Sequence, residues 1–445
     1  MVFAFAGAYR WTIVPFIAGA ALLAASVRPP VFRSSHRALD LALVACLLVT
    51  AAQLIPFNAD TRASLSPSAA VVERALLFDG VAASSRPLTL DPSSTRWALA
   101  FGTALLLFFW SARSIFARGG SLRIVARGIT WFGLVLAAVM FVQRATTPGL
   151  IYGFWRPITR ASNPTPLGPF VNRNDIATWL LLACPLVFGY AAARLDSRRP
   201  LSTEGPEVAA LADSRMIWLA SAVCLMMAAL LASLSRSGLF GGAVAMLVFA
   251  VLTRRRLSTR GRGWLFVATA GLVAVAATYA NLSALMQRIS STLPSNLGGR
   301  LTVWSETWPM VRDFPLAGIG VGAFERGMLV YQQSTRLIFF NHAHNEYLQL
   351  LVEGGVLLVV PVACALVAAC WGMRRRLNAD GTAVFWIRAG AISGLAAVAA
   401  QSIWDTGLRM PANAVLFALL AAAALHAPES PPPVNRSVAT GSENS

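Results

Sequence analysis

The stretch Tyr347–Trp371, YLQLLVEGGVLLVVPVACALVAACW, decides the fold. It runs for 25 residues with one charged side chain, Glu353. A helix rises about 1.5 Å per residue, so this segment is long enough to cross the roughly 30 Å hydrocarbon layer of a bilayer. Directly before it stands Asn341-His342-Ala343-His344-Asn345-Glu346, which carries two of the chain's four histidines. A protein buried mostly in hydrocarbon has few places for polar chemistry, and a histidine pair at a helix mouth is one of them.

Outward from that segment, ten more apolar spans appear at 11–27, 38–56, 97–116, 124–142, 176–193, 216–234, 238–253, 264–281, 384–402 and 411–427. The composition agrees: 56% hydrophobic and 13% charged, against about 25% charged in a soluble domain. The alternating short strands of an outer-membrane barrel are not visible. The expected class is an all-α multi-pass membrane protein with about 11 transmembrane helices.

All 37 basic residues are arginine, which is read as a GC-rich genome rather than as chemistry. A net charge of +18 would suggest nucleic acid for a soluble protein. Here topology explains it, and no nucleic-acid partner is expected. The connectors 28–37, 113–127, 194–215, 254–262 and 374–388 hold 3, 4, 4, 5 and 4 arginines and are predicted to be cytoplasmic. The loops 57–96, 143–175 and 281–346 then lie outside, the last of them before the ninth helix. The Pro/Ser-rich tail 428–445 is expected to be disordered and cytoplasmic. An odd span count with the N-terminus outside raises the expectation of a further helix before Met1.

Cys46, Cys184, Cys224, Cys364 and Cys370 all fall within apolar spans without CxxC spacing, and read as small hydrophobes. No DxD, GxSxG or HExxH occurs, and the Gly-rich Pro315–Phe324 lacks the GK[ST] of a P-loop. No cofactor and no metal are expected.

Four constellations remain. Ser235-Arg236-Ser237-Gly238 joins two spans at the outer surface. Arg236 there reads either as a headgroup anchor on a tight hairpin or as a bidentate phosphate ligand. Gly298-Gly299-Arg300-Leu301 reads either as a flexible loop or as an anion site, with Trp304 and Trp308 on an amphipathic segment beyond it. In the third, His342 and His344 sit at a helix N-terminus, whose field disfavours imidazolium and keeps a ring neutral enough to accept a proton. Capping or packing is the plainer reading of the two, and residues two apart do not share a helix face as metal ligands would. In Asn172-Arg173-Asn174-Asp175, an N-cap role competes with substrate contact by Asn172, Arg173 or Asn174.

In this order the pieces resemble the O-antigen ligase superfamily, which includes lipid-linked polysaccharide polymerases. The matching text is GPFVNRNDIATWL at 168–180, SLSRSGLFGG at 233–242, GRLTVWSETWPMVRDFPLAGIGVGAF at 299–324 and HAHNEYLQLLVEGGV at 342–356. The likeness covers residues 165–370, while the first 140 match only as apolar helices after a GAYRW-like opening that lacks the helix some members place before it. The resemblance implies a GT-C-like fold in the bacterial inner membrane. It implies metal-independent, inverting transfer of a saccharide from undecaprenyl diphosphate to a hydroxyl of lipid A–core or of another glycan, at the periplasmic face. By position, His344 is the general base and Arg236 and Arg300 bind the diphosphate, with Asn345, His342, Asn172 and Arg173 as further substrate contacts. The implied organisation is N-terminal helices 1–142, a catalytic core 143–371 and C-terminal helices 372–427. A transporter or flippase of lipid-linked glycans is the rival reading. It expects paired, interrupted helices and internal symmetry.

Overall fold

The computed structural model describes residues 5–76, 85–117, 121–157, 166–197, 214–258, 297–334 and 339–427, with Gly261, Gly263 and Gly271. Among them the regular structure is helical except for one short two-stranded antiparallel pair and two isolated bridges. The helices are α1 (Arg10–Val27), α2 (Arg37–Ala52), α3 (Ala59–Leu65), α4 (Ala69–Ala75), α5 (Pro92–Phe116), α6 (Ser121–Thr146), α7 (Arg173–Asp196), α8 (Ser214–Ala232), α9 (Arg236–Thr253), α10 (Leu297–Asp313), α11 (Phe324–Tyr331), α12 (Glu346–Ala379), α13 (Val384–Gln401) and α14 (Pro411–Leu425). Strands β1 (Pro56–Asn58) and β2 (Ser85–Pro87) pair antiparallel.

Eight helices (α1, α5, α6, α7, α8, α9, α12 and α13) are long and apolar enough to cross a membrane. The chain is an all-α multi-pass membrane protein. The expected spans 38–56 and 411–427 correspond to the shorter α2 and α14, of 16 and 15 residues. The expected span 264–281, apart from Gly271, and the tail 428–445 lie outside the described residues. α2 stops early because Gln53 turns its amide to other work, donating to Ala317 O (2.7 Å) and Glu353 O (2.9 Å). α5 starts at Pro92 rather than 97 because the Asp91 carboxylate caps Ser94 N at 3.1 Å and proline suits the first helical turn.

α7 and α13 form the centre of the bundle, 78% and 72% buried, against 17% for peripheral α1. Glycines set their spacing. A Cβ on Gly189 would stand 2.2 Å from Trp386 O, and one on Gly390 2.2 Å from Pro185 O. Water cannot drive helices together inside a bilayer, so this close backbone approach is what holds the pair.

α12 is interrupted. Gly355 has φ +57°, which frees the carbonyls around it from the helix ladder. The Gly-rich loop after α10 fills the break: Ile319 N donates to Val352 O (2.9 Å), Gly320 N to Glu353 O (3.0 Å) and Val356 N to Pro315 O (2.9 Å). A Cβ on Gly318 would meet the Glu353 backbone at 2.4 Å. Non-helical backbone at such a place survives only when protein satisfies it, and that is the task of PLAGIGVGAF.

The helix ends sort into two sets. At one end Arg256 reaches Asp380 O (2.5 Å), Arg376 reaches Ser35 Oγ (2.7 Å) and Arg388 reaches Ala424 O (2.6 Å). This end gathers the arginine-rich connectors. At the other end Glu346 N donates to Ser402 O (2.9 Å), Asn413 Nδ2 to Asp175 O (3.0 Å) and Arg144 Nη1 to Ala232 O (2.6 Å). A small second core caps that end, built from α4, α10, α11 and the Gly-rich loop around Phe314, Ile319 and Phe324.

Candidate active site

Three helix N-termini meet at the capped end, and each is closed by a side chain its own sequence supplies. The Asn172 side chain accepts from Asn174 N (3.0 Å) to start α7. Ser235 Oγ accepts from Gly238 N (3.1 Å) to start α9, and Asn345 Oδ1 accepts from Leu348 N (3.0 Å) to start α12. Free N–H groups and the positive ends of helix dipoles therefore face one region, a setting that favours anions.

Two of these turns share an unusual backbone. The residue before each cap, Leu234 (φ 58°) and His344 (φ 49°), is left-handed. That conformation costs a residue with a Cβ about 1–2 kcal/mol. For His344 the neighbours impose it: buried Ala343 accepts from Trp304 Nε1 through its carbonyl (2.9 Å) and donates its N–H to Gln349 Oε1 (2.9 Å).

His344 then shares its field with Asp405, from the loop between α13 and α14, and with Arg300 on α10. Burial holds its pKa below the usual value, Asp405 pulls it up and Arg300 pushes it down. The ring is mostly neutral near pH 7 as a result. Its Nδ1 is buried without a hydrogen-bond partner among the described residues. Burial raises the Asp405 carboxyl above the ordinary range, while Thr406 N–H, Arg300, His344 and Ser237 each favour its charged form. Ser237 Oγ donates to Asp405 Oδ2 at 3.2 Å, and Ser235 Oγ donates to Asn174 Oδ1 at 2.8 Å. Hydrogen bonds thus run from α7 through the α9 turn to Asp405, whose charge acts on His344.

The sequence-derived residues divide accordingly. His344 and Arg300 come together. The segment Gly299–Leu301 is the start of a helix rather than a loop, and helix α10 aims Arg300 inward, half-buried. Arg236 is the exposed first residue of α9, next to the Ser237 that reaches Asp405. Asn345 and Asn172 both serve as caps, and Arg173 is exposed at the first position of α7. His342 stands against Gln349, with its pKa pushed down to about 3 by burial, Arg409 and His344.

Asp405 and Arg409 were not singled out from the sequence. Arg409 joins Glu353 (2.9 Å) and Glu346 (3.3 Å) beneath the histidine segment. The signal was available: ionisable residues at the edge of an apolar span are costly and seldom idle.

One cleft borders the histidine segment, and a second lies within the bundle. One, of about 760 Å³, lies between α10 and α12 and is walled by Trp304, Trp308, Tyr347 and Asn345. The other, about 230 Å³ and almost wholly apolar, runs down between α7, α8 and α9 past Leu181, Phe188, Met227 and Phe249. Among the described residues no set of three or more His, Cys, Asp or Glu side chains is grouped to hold a metal ion.

Residues 220–363 match the family model for O-antigen ligase. Over those residues the chain is similar to the O-antigen ligase family. In general terms such a match supports membrane-bound glycan transfer of the O-antigen ligase or polymerase type. The O-antigen ligase match spans α8 to the first half of α12 and contains Arg236, Arg300, His342, His344 and Asn345. It leaves out Asn172, Arg173, Asp405 and Arg409. No curated protein matches the chain.

Proposed function

We propose that the protein transfers a saccharide from an undecaprenyl-diphosphate carrier to an acceptor hydroxyl, at the periplasmic face of a bacterial inner membrane. The observation that carries this reading is the left-handed, half-buried His344 held in one field with Asp405 and Arg300. The neutral imidazole takes the proton of the acceptor hydroxyl. The freed oxygen attacks the anomeric carbon as the bond to the diphosphate breaks, and undecaprenyl diphosphate leaves with the electron pair. One displacement inverts the anomeric centre.

Arg300 and Arg236 stabilise the charge that grows on the diphosphate, aided by the helix N-termini of α7, α9 and α12, so that no metal is required. Asn172, Arg173, Asn345 and His342 line the approach. Such a base contributes about 10²–10⁴ in rate. The apolar cleft between α7, α8 and α9 suits the prenyl chain of the donor, and the aromatic walls beside Asn345 suit the face of an acceptor sugar. Lipid A–core and a second lipid-linked glycan both supply the required hydroxyl. The arginine-rich end then faces the cytoplasm.

The break in α12 is the one feature that favours a transporter for lipid-linked glycans. Against it, the break is filled by the Gly318–Gly320 backbone. Proteoliposomes loaded with undecaprenyl-diphosphate glycan and acceptor separate the two readings. Transferase activity gives a new glycosidic bond of inverted configuration that survives a chelator. Movement of the lipid-linked glycan across the bilayer with no new bond would overturn the enzyme reading.

A further inference from the structure

Under the histidine segment lies a chain of hydrogen bonds whose direction can be read. Gln349 is fully buried, and its Oε1 accepts the Ala343 N–H at 2.9 Å. Its Nε2 is therefore the amino group. One hydrogen goes to Glu353 Oε1 at 3.1 Å, and the other points at His342 Nδ1, 3.3 Å away. The reverse orientation of the amide would set its oxygen against the Glu353 carboxylate and its amino group against an N–H, two repulsive contacts in place of two bonds. Glu353 is held as an acceptor by Arg409, whose Nη1 and Nη2 donate to Oε1 (3.2 Å) and Oε2 (2.9 Å). An arginine stays charged at every working pH.

The consequence falls on His342. An amino group offers no lone pair, so Nδ1 must supply one, and a neutral ring with a bare Nδ1 carries its proton on Nε2. That nitrogen has no partner among the described residues, and the ring is half-buried beside His344. We propose that His342 is a fixed hydrogen-bond donor to an oxygen of the bound substrate, locked as its Nε2–H tautomer by Gln349, with Glu353 and Arg409 as positioning residues. The proposal rests on the reading of this mouth as the transfer site. It gives the two histidines opposite tasks: His344 accepts a proton, and His342 only donates a hydrogen bond. The intervening Ala343, pinned through both its backbone groups, keeps the two rings apart.

The tautomer can be observed without activity. The chain has four histidines, so ¹⁵N-histidine labelling gives four ring systems to assign in nanodiscs. The wild type is expected to show His342 as a single Nε2–H form at pH 7, and Gln349→Leu to release it into a mixture. Transfer assays then use two shape variants. His342→Gln places an N–H near the Nε2 position, and His342→Asn places one near Nδ1. His342→Asn is expected to lose about ten- to hundred-fold in transfer, the range for a hydrogen bond to a charged group, with His342→Gln recovering much of the loss.

A wild-type His342 protonated on Nδ1 overturns the proposal, as do Gln and Asn variants of equal activity. If Gln349→Leu fails to fold, the wild-type spectrum still decides. Failure of the wider reading has a different signature: no transfer by the wild type under any condition, whatever the His342 tautomer.

Discussion

The two ends of the bundle each bury arginine against carboxylate, yet they finish the task differently. At the arginine-rich end, wholly buried Arg388 spends its donors on Asp380 (3.1 Å), Ala424 O (2.6 Å) and His426 O (3.0 Å). Nearby, Arg113 grips Asp40 with two bonds of 2.9 and 2.7 Å, and Trp110 adds a third. These clusters are saturated. At the site end half-buried Arg300 acts on His344 and Asp405 through its charge, and His344 Nδ1 is buried without a hydrogen-bond partner among the described residues. Buried polar groups in folded proteins are nearly always satisfied, so an unpartnered imidazole nitrogen set between two charged side chains marks a place where something else can complete it. Saturated ion pairs hold the helices in register, and the open cluster is where the chemistry is proposed to occur.

Substitutions at the two ends should therefore fail in different assays. The largest effect is expected for Arg388→Ala, which strands the buried Asp380. Breaking one partner of such a pair costs about 3–5 kcal/mol, seen as an early unfolding midpoint in detergent, while transfer per folded molecule is kept. Arg300→Ala should do the opposite. Transfer falls about 10²–10³-fold, the range for losing a donor to developing charge, with the unfolding midpoint nearly unmoved. Arg236→Lys keeps the charge and loses the fork, so a drop of about tenfold is expected, and full activity would return Arg236 to the role of a headgroup anchor.

The finest effect is in the pH profile. Because burial holds the His344 pKa below its usual value, protonation removes activity only as the pH falls through that lowered value. The Asp405 carboxylate raises it and Arg300 lowers it. Asp405→Asn should thus move the acid limb of kcat/KM to lower pH, and Arg300→Ala should move the limb of its residual activity to higher pH. Shifts in the same direction would mean that the two do not act on one imidazole.

Much of this was legible in the sequence. Apolar length located the eight long spans, and short-range rules pointed to the caps at 172–175 and at Ser235, whereas at α12 the cap is Asn345 and not either histidine. The HAHN segment stood out because polar residues opening a long apolar helix are few. What could not be read was partnership. Asp405 lies 61 residues beyond His344 (405 minus 344), in a loop reached only after α12 and α13 have crossed and returned, and no local pattern reports that meeting. The interruption of α12 was hidden for the same reason. Gly354-Gly355 is an ordinary membrane-helix pair until PLAGIGVGAF is seen to donate its amides there. Arginines drew attention because they were numerous, while the acids that answer them at the span edges, Glu346, Glu353 and Asp405, were passed over.

The most direct test of the central claim is transfer by His344→Ala in proteoliposomes supplied with lipid-linked glycan and acceptor, alongside its unfolding midpoint and its binding of the donor. The account predicts at least a hundredfold loss of product, with folding and donor binding retained. Product formed at the wild-type rate by a folded His344→Ala protein would contradict it.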